Sequence, residues 1–293
     1  MRRNVNLIKK KIFHFRSGKN LIIGGKTLVM GILNITPDSF SDGGKWNKID
    51  MAKRHVKDMI HSGADIIDIG AESTRPGFTA ISAEEEFDRL EPILKAIVND
   101  CPIPISVDTY KSQTAEAAIN LGVDIINDIH GLQYEAEPFA MAEVAAKYNT
   151  PVIAMHNLSN AECGMRNAEL FDDIKSYFRK TLMIANEVGL SRENIIFDPG
   201  IGFGKTQEQN LEILRRLEKL KIIDDIEYPM LLGVSRKSVI GYAVNYPVNE
   251  RDEATGAICI VGITKGVDIV RVHNVKMISK MCKMADVIIR ANV

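Results

Sequence analysis

Several features that mark common functional classes are scarce or absent in this sequence. Charge of one sign is not in excess, because 37 Lys and Arg residues stand against 38 Asp and Glu residues in a chain of 293, giving a net charge of −1. This balance disfavours a nucleic-acid-binding protein, which usually carries a basic excess. No apolar run approaches the ~20 residues of a membrane-spanning helix, so a membrane protein is disfavoured as well.

Cysteine is also rare, and its positions carry no pattern. The cysteines form no CxxC pair, so neither a zinc site nor a disulfide framework is indicated. Scattered cysteines are typical of a reduced compartment, and we expect a cytoplasmic protein. The histidines form no HExxH motif and no convincing metal triad. The cysteines are Cys101, Cys163, Cys259 and Cys282.

Acidic residues are absent from the start of the chain, because the first is Asp38. Lys9, Lys10 and Lys11 interrupt any apolar core there, so this stretch is not a secretory signal. A transit peptide is an alternative, but we interpret residues 1–24 as a solvated basic arm that runs into the start of a hairpin. Residues 13–27, with turns at SGKN and GGK, are expected to form that hairpin and to close the bottom of a barrel.

Short, continuously apolar runs recur along the rest of the chain, with amphipathic segments between them. Continuous rather than alternating apolarity is typical of parallel strands covered on both faces. Strand followed by helix, eight times, predicts a single (β/α)8 TIM barrel, an α/β fold, over residues 25–293. A doubly wound open sheet is the alternative, since strand count does not prove closure. The runs are residues 28–33, 64–70, 104–109, 123–128, 151–156, 194–200, 229–235 and 267–273.

Helix signals support this alternation. The segment NKIDMAKRHVKDMIHSG has an apolar face and ends at Gly63, a plausible C-cap. The segment SAEEEFDRLEPILKAIV begins with a Ser cap and an acidic first turn. AELFDDIKSYFRKTLMIANEVG and TQEQNLEILRRLEKL are the clearest later helices.

Polar residues stand where each apolar run ends. The carboxyl ends of barrel strands share one face, where such barrels keep their sites, so these side chains are expected to converge on one mouth. They are Asn34, Asp68 with Glu72, Asp108, Asn127, His156, Asp198, Ser235 with Lys237, and Arg271 with His273.

The segment DPGIGFGKT imitates two phosphate-binding motifs and matches neither. The P-loop pattern requires a glycine where Pro199 stands, and the dinucleotide fingerprint requires a third glycine where Lys205 stands. Its glycines still allow a ligand to approach the backbone closely.

These residues together resemble a known family. GILNITPDSFSDGG, GADIIDIGAESTRPG, ISVDTY, INDI, DPGIGFGKT, GVSRKS and RVHNV resemble the motifs of the dihydropteroate synthases of folate biosynthesis, in order, from about Gly25 to the C-terminus. The resemblance implies a (β/α)8 barrel and a transferase. It would join 6-hydroxymethyl-7,8-dihydropterin pyrophosphate to p-aminobenzoate, giving 7,8-dihydropteroate and pyrophosphate.

The resemblance also implies roles for individual residues. A carboxylate that accepts adjacent N–H donors suits the pterin edge, as an arginine fork suits a carboxylate. The implied pterin-binding residues are Asp108, Asn127, Met155, Asp198, Phe203, Gly233, Lys237 and Arg271. The implied p-aminobenzoate pocket consists of Phe40, Thr74, Arg75, Pro76, Lys237 and Ser238. The implied pyrophosphate-binding residues are Asn34, Arg271 and His273, with Asn34 also a ligand of the Mg²⁺ cofactor.

The two polar loops carry the rest of the implied mechanism. The C–O bond breaks early, and the loops TPDSFSDGG and ESTRPG order over the cationic pterin methylene. Asp42, Arg75 and Lys237 are the implied catalytic residues, with Asp42 facing the cation. The aryl amine is already nucleophilic, so no general base is expected. The family also implies a homodimer, and sulfonamides, as mimics of p-aminobenzoate, are expected to compete for the second pocket.

The chain departs from the family pattern at Ala71, where glycine is usual, at Asn274, where aspartate is usual, and along the rim at 157–166. A pterin-dependent methyltransferase barrel and a catalytically silent pterin-binding homologue are the rival functions. The SRKS and RVH segments argue against the first rival, and retention of Asp42, Arg75 and Lys237 argues against the second.

Overall fold

A computed structural model describes residues 10–35, 45–72, 79–157 and 169–290. The strands of these residues are β1 (Lys11–His14), β2 (Asn20–Ile23), β3 (Leu28–Asn34), β4 (Ile66–Gly70), β5 (Ile105–Asp108), β6 (Ile125–Asp128), β7 (Val152–Met155), β8 (Ile195–Asp198), β9 (Ile222–Ile223), β10 (Ile226–Glu227), β11 (Leu231–Gly233) and β12 (Ile269–Val272). The helices are α1 (Lys45–His61), α2 (Ala83–Ile97), α3 (Ser112–Leu121), α4 (Ala140–Tyr148), α5 (Leu170–Glu187), α6 (Gln207–Arg215), α7 (Ser238–Val244), α8 (Asp252–Thr264) and α9 (Val275–Ile289).

The eight predicted apolar runs form one parallel sheet that closes on itself. Its strand order is β11-β12-β3-β4-β5-β6-β7-β8. The two end strands are joined by a parallel bridge between Phe197 and Met230, and the Phe197 N–H donates to the Pro229 carbonyl at 2.9 Å. Closure confirms the (β/α)8 barrel and removes the open doubly wound sheet. The small antiparallel pair β9–β10 was not predicted.

Helix termini follow the local sequence signals, with one correction. Ser82 caps α2 by accepting from the Glu85 N–H at 3.1 Å, and Gly63, with φ +99°, lies just beyond α1. The segment predicted as one helix from Thr206 onward is shorter, because α6 ends at Arg215 and a 3₁₀ turn follows at Leu217–Leu220. The intervening Arg216, at φ −133°, lies outside the helical region, so the helical hydrogen-bond pattern ends there.

The N-terminal hairpin closes the bottom of the barrel, as predicted. Strands β1 and β2 pair antiparallel, and their inward side chains join the apolar residues at the lower ends of the barrel strands in one buried cluster. The hairpin turn is also tied to the rim below β6, where Lys19 Nζ lies 3.2 Å from Asp124 Oδ2. The cluster consists of Phe13, Phe15, Leu21 and Ile23 with Leu28, Met30, Ile66, Ile125, Ile153, Ile196, Leu231 and Ile269.

A second, larger apolar core lies between the outer faces of the strands and the helices. Both faces of the sheet are therefore buried, which accounts for the continuous rather than alternating apolar runs. Among the residues described here, no helix combines the length and the apolarity that crossing a membrane requires.

Candidate active site

The strand ends form a polar layer directly above the apolar floor of the barrel. Side chains alternate between the two faces of a strand, so the residue two positions after a floor residue also points inward. Asp108, two positions after the buried Ser106 of β5, occupies the same layer. The residues that follow the floor residues in this way are Asp68, Asn127, Met155, Asp198, Gly233 and Arg271, with the apolar Ile32 on β3.

Arg271 is held between two carboxylates at the centre of this layer. Its Nε lies 2.6 Å from Asp68 Oδ2 and its Nη2 lies 2.5 Å from Asp108 Oδ2. Burial lowers the pKa of Arg271, but Asp68 and Asp108 outweigh it and raise the pKa above the ordinary value. Burial raises the pKa of Asp108 to about 7 although Arg271 opposes the shift. The charge of the Asp108 carboxyl group therefore depends strongly on the groups around it.

Asp68 also orients Asn127. The sequence predicted Asp68 as a strand-end residue of the mouth, but no role was assigned to it. Asn127 Nδ2 donates to Asp68 Oδ2 at 3.2 Å, and this orientation leaves the Asn127 amide oxygen to accept from a ligand. The second oxygen of the fully buried Asp68 has no hydrogen-bond partner among the residues that the structure describes. The signal in the sequence was its place at a strand end, but its partners lie 59 and 203 residues away.

Asp198 and Lys237 face each other across the mouth. Asp198 Oδ1 accepts from the Gly200 N–H at 2.8 Å, and burial raises the pKa of Asp198 while Lys237 opposes that rise. Burial lowers the pKa of Lys237 to about 8, against the effect of Asp198. Lys237 Nζ donates to the Ile201 carbonyl at 2.5 Å and lies 4.7 Å from the centre of the Phe203 ring.

The predicted walls of the mouth adjoin this pair. A Cβ added at Gly233 would lie 3.5 Å from Asp198 Oδ2 and 3.8 Å from Lys237 Nζ, so the absence of a side chain keeps the space before the carboxylate open. Met155 is buried next to the loop after β8, because a Cβ at Gly200 would lie 3.2 Å from its Cγ. The structure thus brings the predicted pterin-binding residues together on one face.

The loop DPGIGFGKT is the lining of this site rather than a phosphate loop. Gly200 has φ +66°, and a Cβ there would lie 1.9 Å from the His156 carbonyl oxygen, so only glycine fits. From α6, Asn210 Oδ1 accepts from the Gly202 N–H at 2.8 Å. Lys205, buried beneath the loop, was not predicted to take part.

Asn34 and His273, the remaining predicted anion-binding residues, lie at the ends of neighbouring strands, since Asn34 ends β3 and His273 directly follows β12. His273 Nδ1 lies 2.9 Å from Ser235 Oγ, and Asn34 stands opposite Gly70 at the partly exposed end of β3. Asn274 caps α9 by accepting from the Met277 N–H at 3.1 Å, and its Nδ2 donates to Asp252 Oδ2 at 3.0 Å. An aspartate at 274 could cap the helix but could not donate to Asp252, so this departure carries its own hydrogen bond.

The predicted second pocket is described only at one side. Lys237 precedes α7 and Ser238 begins it, with Gln207 Nε2 3.2 Å from Ser238 Oγ. The other predicted residues, Phe40, Asp42, Thr74, Arg75 and Pro76, lie outside the described residues, as does the rim from 158 to 166. Ala71, the other departure, is buried, and its carbonyl accepts from Arg89 Nη1 at 3.1 Å.

Comparison with known proteins gives one consistent family. Residues 30–273 match the family described as pterin binding enzyme. The chain is 53% identical over 273 residues to the dihydropteroate synthase of Clostridium beijerinckii, covering 93% of this chain and 98% of that protein.

Two solved structures extend the likeness to the fold. A dihydropteroate synthase from Clostridium difficile, crystallised in the presence of pteroic acid, matches with a TM-score of 0.85 and 46% identity, over 92% of this chain and 98% of that chain. The Xanthomonas albilineans dihydropteroate synthase with 4-aminobenzoic acid matches with a TM-score of 0.87 and 30% identity, over 97% and 100% of the two chains.

Proposed function

Since this chain belongs to the pterin-binding enzymes, and among them to the dihydropteroate synthases, we propose that it condenses 6-hydroxymethyl-7,8-dihydropterin pyrophosphate with p-aminobenzoate. The products are 7,8-dihydropteroate and pyrophosphate. The observation that carries this proposal is the polar layer in which the buried Asn127 and Asp198 and the half-buried Asp108 offer acceptors, and the half-buried Arg271 and Lys237 offer cations.

The acceptors suit the pyrimidine edge of a pterin. That edge presents adjacent N–H donors, and a buried carboxylate such as Asp198 can accept two of them in the manner of a fork. Asp108 and Asn127 add acceptors from the neighbouring strands β5 and β6. The flat ring would lie against Met155 and Phe203, and the planar guanidinium of Arg271 would stack on it.

The cations suit the departure of pyrophosphate. The bond between the pterin methylene carbon and the pyrophosphate oxygen breaks, and its electron pair leaves on the oxygen. Arg271 and His273 would hold the anion, and Lys237 borders both substrates. The aryl-amine nitrogen then supplies the pair for the new C–N bond and releases a proton to solvent. Asp42 would face the developing cation, where a fixed negative charge stabilises the transition state most.

The fit of Mg²⁺ depends on its donor set. Asn34 offers one neutral amide oxygen, and the described ranges contain no group of three or more His, Cys, Asp or Glu side chains that could hold a metal. One protein oxygen suits Mg²⁺ when water and phosphate supply the other ligands. Asn34 therefore fits an ion that arrives with the pyrophosphate-bearing substrate. The ion would neutralise charge on the leaving group.

For the second substrate, Lys237 and Ser238 would form one side of the pocket and Phe40, Thr74, Arg75 and Pro76 the other. The two loops that carry these residues would order over the intermediate and exclude water. A sulfonamide, as a mimic of p-aminobenzoate, would occupy the same pocket.

The quaternary structure and compartment belong to the same proposal. Helices α8 and α9 pack together, and their outer face exposes apolar side chains that a second copy of the chain could cover in a homodimer. The scattered cysteines, of which the three in the described residues are unpaired, suit the cytoplasm. The exposed residues are Val261, Met284, Val287 and Ile288.

The test is dihydropteroate formation by the purified protein, with each substrate omitted in turn. Arg271→Lys should lose most activity, because lysine keeps the charge but not the fork. Arg290→Lys is the matched control, since Arg290 is buried at the opposite end of the barrel and donates to the Val267 carbonyl at 2.9 Å. Pterin binding without pyrophosphate release or dihydropteroate formation, or methyl transfer from a methylated folate, would replace the proposal with one of its rivals.

A further inference from the structure

Lys205 is a buried lysine at the back of the mouth, in a motif that matches no phosphate-binding pattern. It is 8% exposed. Its Nζ donates to three backbone carbonyl oxygens, those of Gly200 at 2.9 Å, Phe203 at 3.0 Å and His156 at 3.2 Å. An ammonium group has three N–H donors, whereas a neutral amine has fewer, so these acceptors fit the charged form.

The three carbonyls belong to residues that shape the pterin face of the mouth. His156 follows the wall residue Met155, and Phe203 is itself a wall residue. The Gly200 N–H donates to Asp198 Oδ1 at 2.8 Å, and the Gly200 carbonyl accepts from Lys205. A single residue therefore connects the lysine to the carboxylate. One ammonium group therefore fastens the ends of β7 and β8 to the loop between β8 and α6.

We propose that Lys205 is a positioning residue of the pterin pocket, which holds the Asp198 carboxylate and the Phe203 wall in binding geometry and supplies a positive charge behind that carboxylate. The inference rests on the proposed function, because it gives a buried group a part in recognising the pterin. Lys205 touches neither substrate.

The charges around the pair support this assignment. The charged groups that face Asp198 are Lys237, Lys205 and Arg271, and each lowers the pKa that burial raises. Burial lowers the pKa of Lys205 to about 7, Asp198 and Asp173 oppose that shift, and Lys237 adds to it. Removing the Lys205 charge should therefore make Asp198 harder to ionise, and a protonated Asp198 cannot accept both pterin N–H donors.

The chain contains a matched control at the opposite end of the barrel. Lys221 is also buried, and its Nζ donates to the Gly266 carbonyl at 2.5 Å and to Asp268 Oδ2 at 3.2 Å, below β11 and β12. Like Lys205, it fastens strand ends through a backbone carbonyl. Lys221→Met should therefore cost stability without reaching the mouth.

The experiment is calorimetric titration of Lys205→Met, Lys221→Met and the parent protein with 6-hydroxymethyl-7,8-dihydropterin over a range of pH. Lys205→Met should weaken binding by about tenfold or more, as expected for loss of a charged hydrogen-bonding group beside the acceptor. The pH below which binding is lost should also rise by about one unit. Lys221→Met should keep the parent affinity and pH profile, with a lower melting temperature.

Parent affinity and pH profile in Lys205→Met would overturn the proposal, and so would equal losses of affinity in the two variants. If Lys205→Met does not fold, Lys205→Gln takes its place, since glutamine keeps two N–H donors without the charge. Failure of both to fold, with Lys221→Met folded, would make Lys205 a folding residue and also overturn the proposal. A parent protein that binds no dihydropterin would instead contradict the proposed function.

Discussion

Replacing Asp198 by asparagine should separate pterin binding from stability. Asparagine keeps the volume and the oxygen that accepts from the Gly200 N–H, but it replaces the second acceptor with a donor. The pterin edge would then meet an N–H group instead of a carboxylate oxygen. A hydrogen bond to a charged group contributes about 1.5–3 kcal/mol, so the loss of one such bond, together with the charge that strengthens the other, corresponds to a Kd raised about 10²-fold.

The same substitution should weaken pterin binding but should not lower the stability of the fold. Burial raises the pKa of Asp198, so the folded protein binds this proton more tightly than the unfolded chain does. Above the raised folded pKa, the ionised carboxylate therefore costs stability, and the cost sets in as the pH rises from the unfolded pKa. Asp198→Asn removes that cost, and we expect its melting temperature at neutral pH to equal or exceed that of the parent.

Calorimetric titration with 6-hydroxymethyl-7,8-dihydropterin and thermal unfolding on the same preparations measure both effects. Asp124→Asn is the control, because Asp124 is buried at the opposite end of the barrel and accepts from the Ile105 N–H at 2.9 Å. It should lose stability and keep the parent affinity. An Asp198→Asn protein that binds the pterin normally, or that loses as much stability as Asp124→Asn, would refute the reasoning.

Three further outcomes are expected. Pyrophosphate with Mg²⁺ and a pterin should strengthen p-aminobenzoate binding, with sulfonamides competing under the same conditions, and equal affinity without them would contradict loop ordering. Asp42→Asn should lower turnover about 10²-fold with little change in pterin Kd; near-normal turnover in a stopped assay would leave Asp42 as a turn residue. Burial raises the pKa of Asp108 from 3.8 to about 7, so its ionisation should cost stability as the pH rises through that window. Asp108→Asn should flatten this dependence in urea unfolding, and an unchanged pH slope would assign it to other groups.

The barrel strands were predictable because burial on both faces leaves a continuous apolar run, and each run became a strand within a few residues. The short pair β9–β10 was not, because two-residue strands carry no periodic signal. The end of α6 at Arg215 was also missed. The helical pattern continues through the following residues, and only the backbone shows that they adopt a 3₁₀ turn.

The sequence predicted that the site residues lie on one face of the barrel. It did not predict which of them bind one another. Asp68 stood out at a strand end, yet its hold on Arg271 depends on strand register across the closed sheet. Lys205 looked like part of a failed phosphate loop, because its partner His156 lies on a separate segment of backbone after β7, and only the fold brings that carbonyl to the lysine together with those of Gly200 and Phe203. A strand-end position gives the neighbourhood of a side chain, whereas its hydrogen bonds require the fold.

The hairpin beneath the barrel determines where ligands enter the barrel and where they leave it. With Phe13 and Ile23 among the side chains that seal the lower end, every molecule that reaches the polar layer enters through the loop-bearing opening and leaves through it. A compound that binds first would lie deepest in the barrel. A compound that binds after it, nearer the opening, would block its release. The leaving group and the product would then have to be released one after the other. A compound bound near the rim would prevent the release of a ligand bound beneath it.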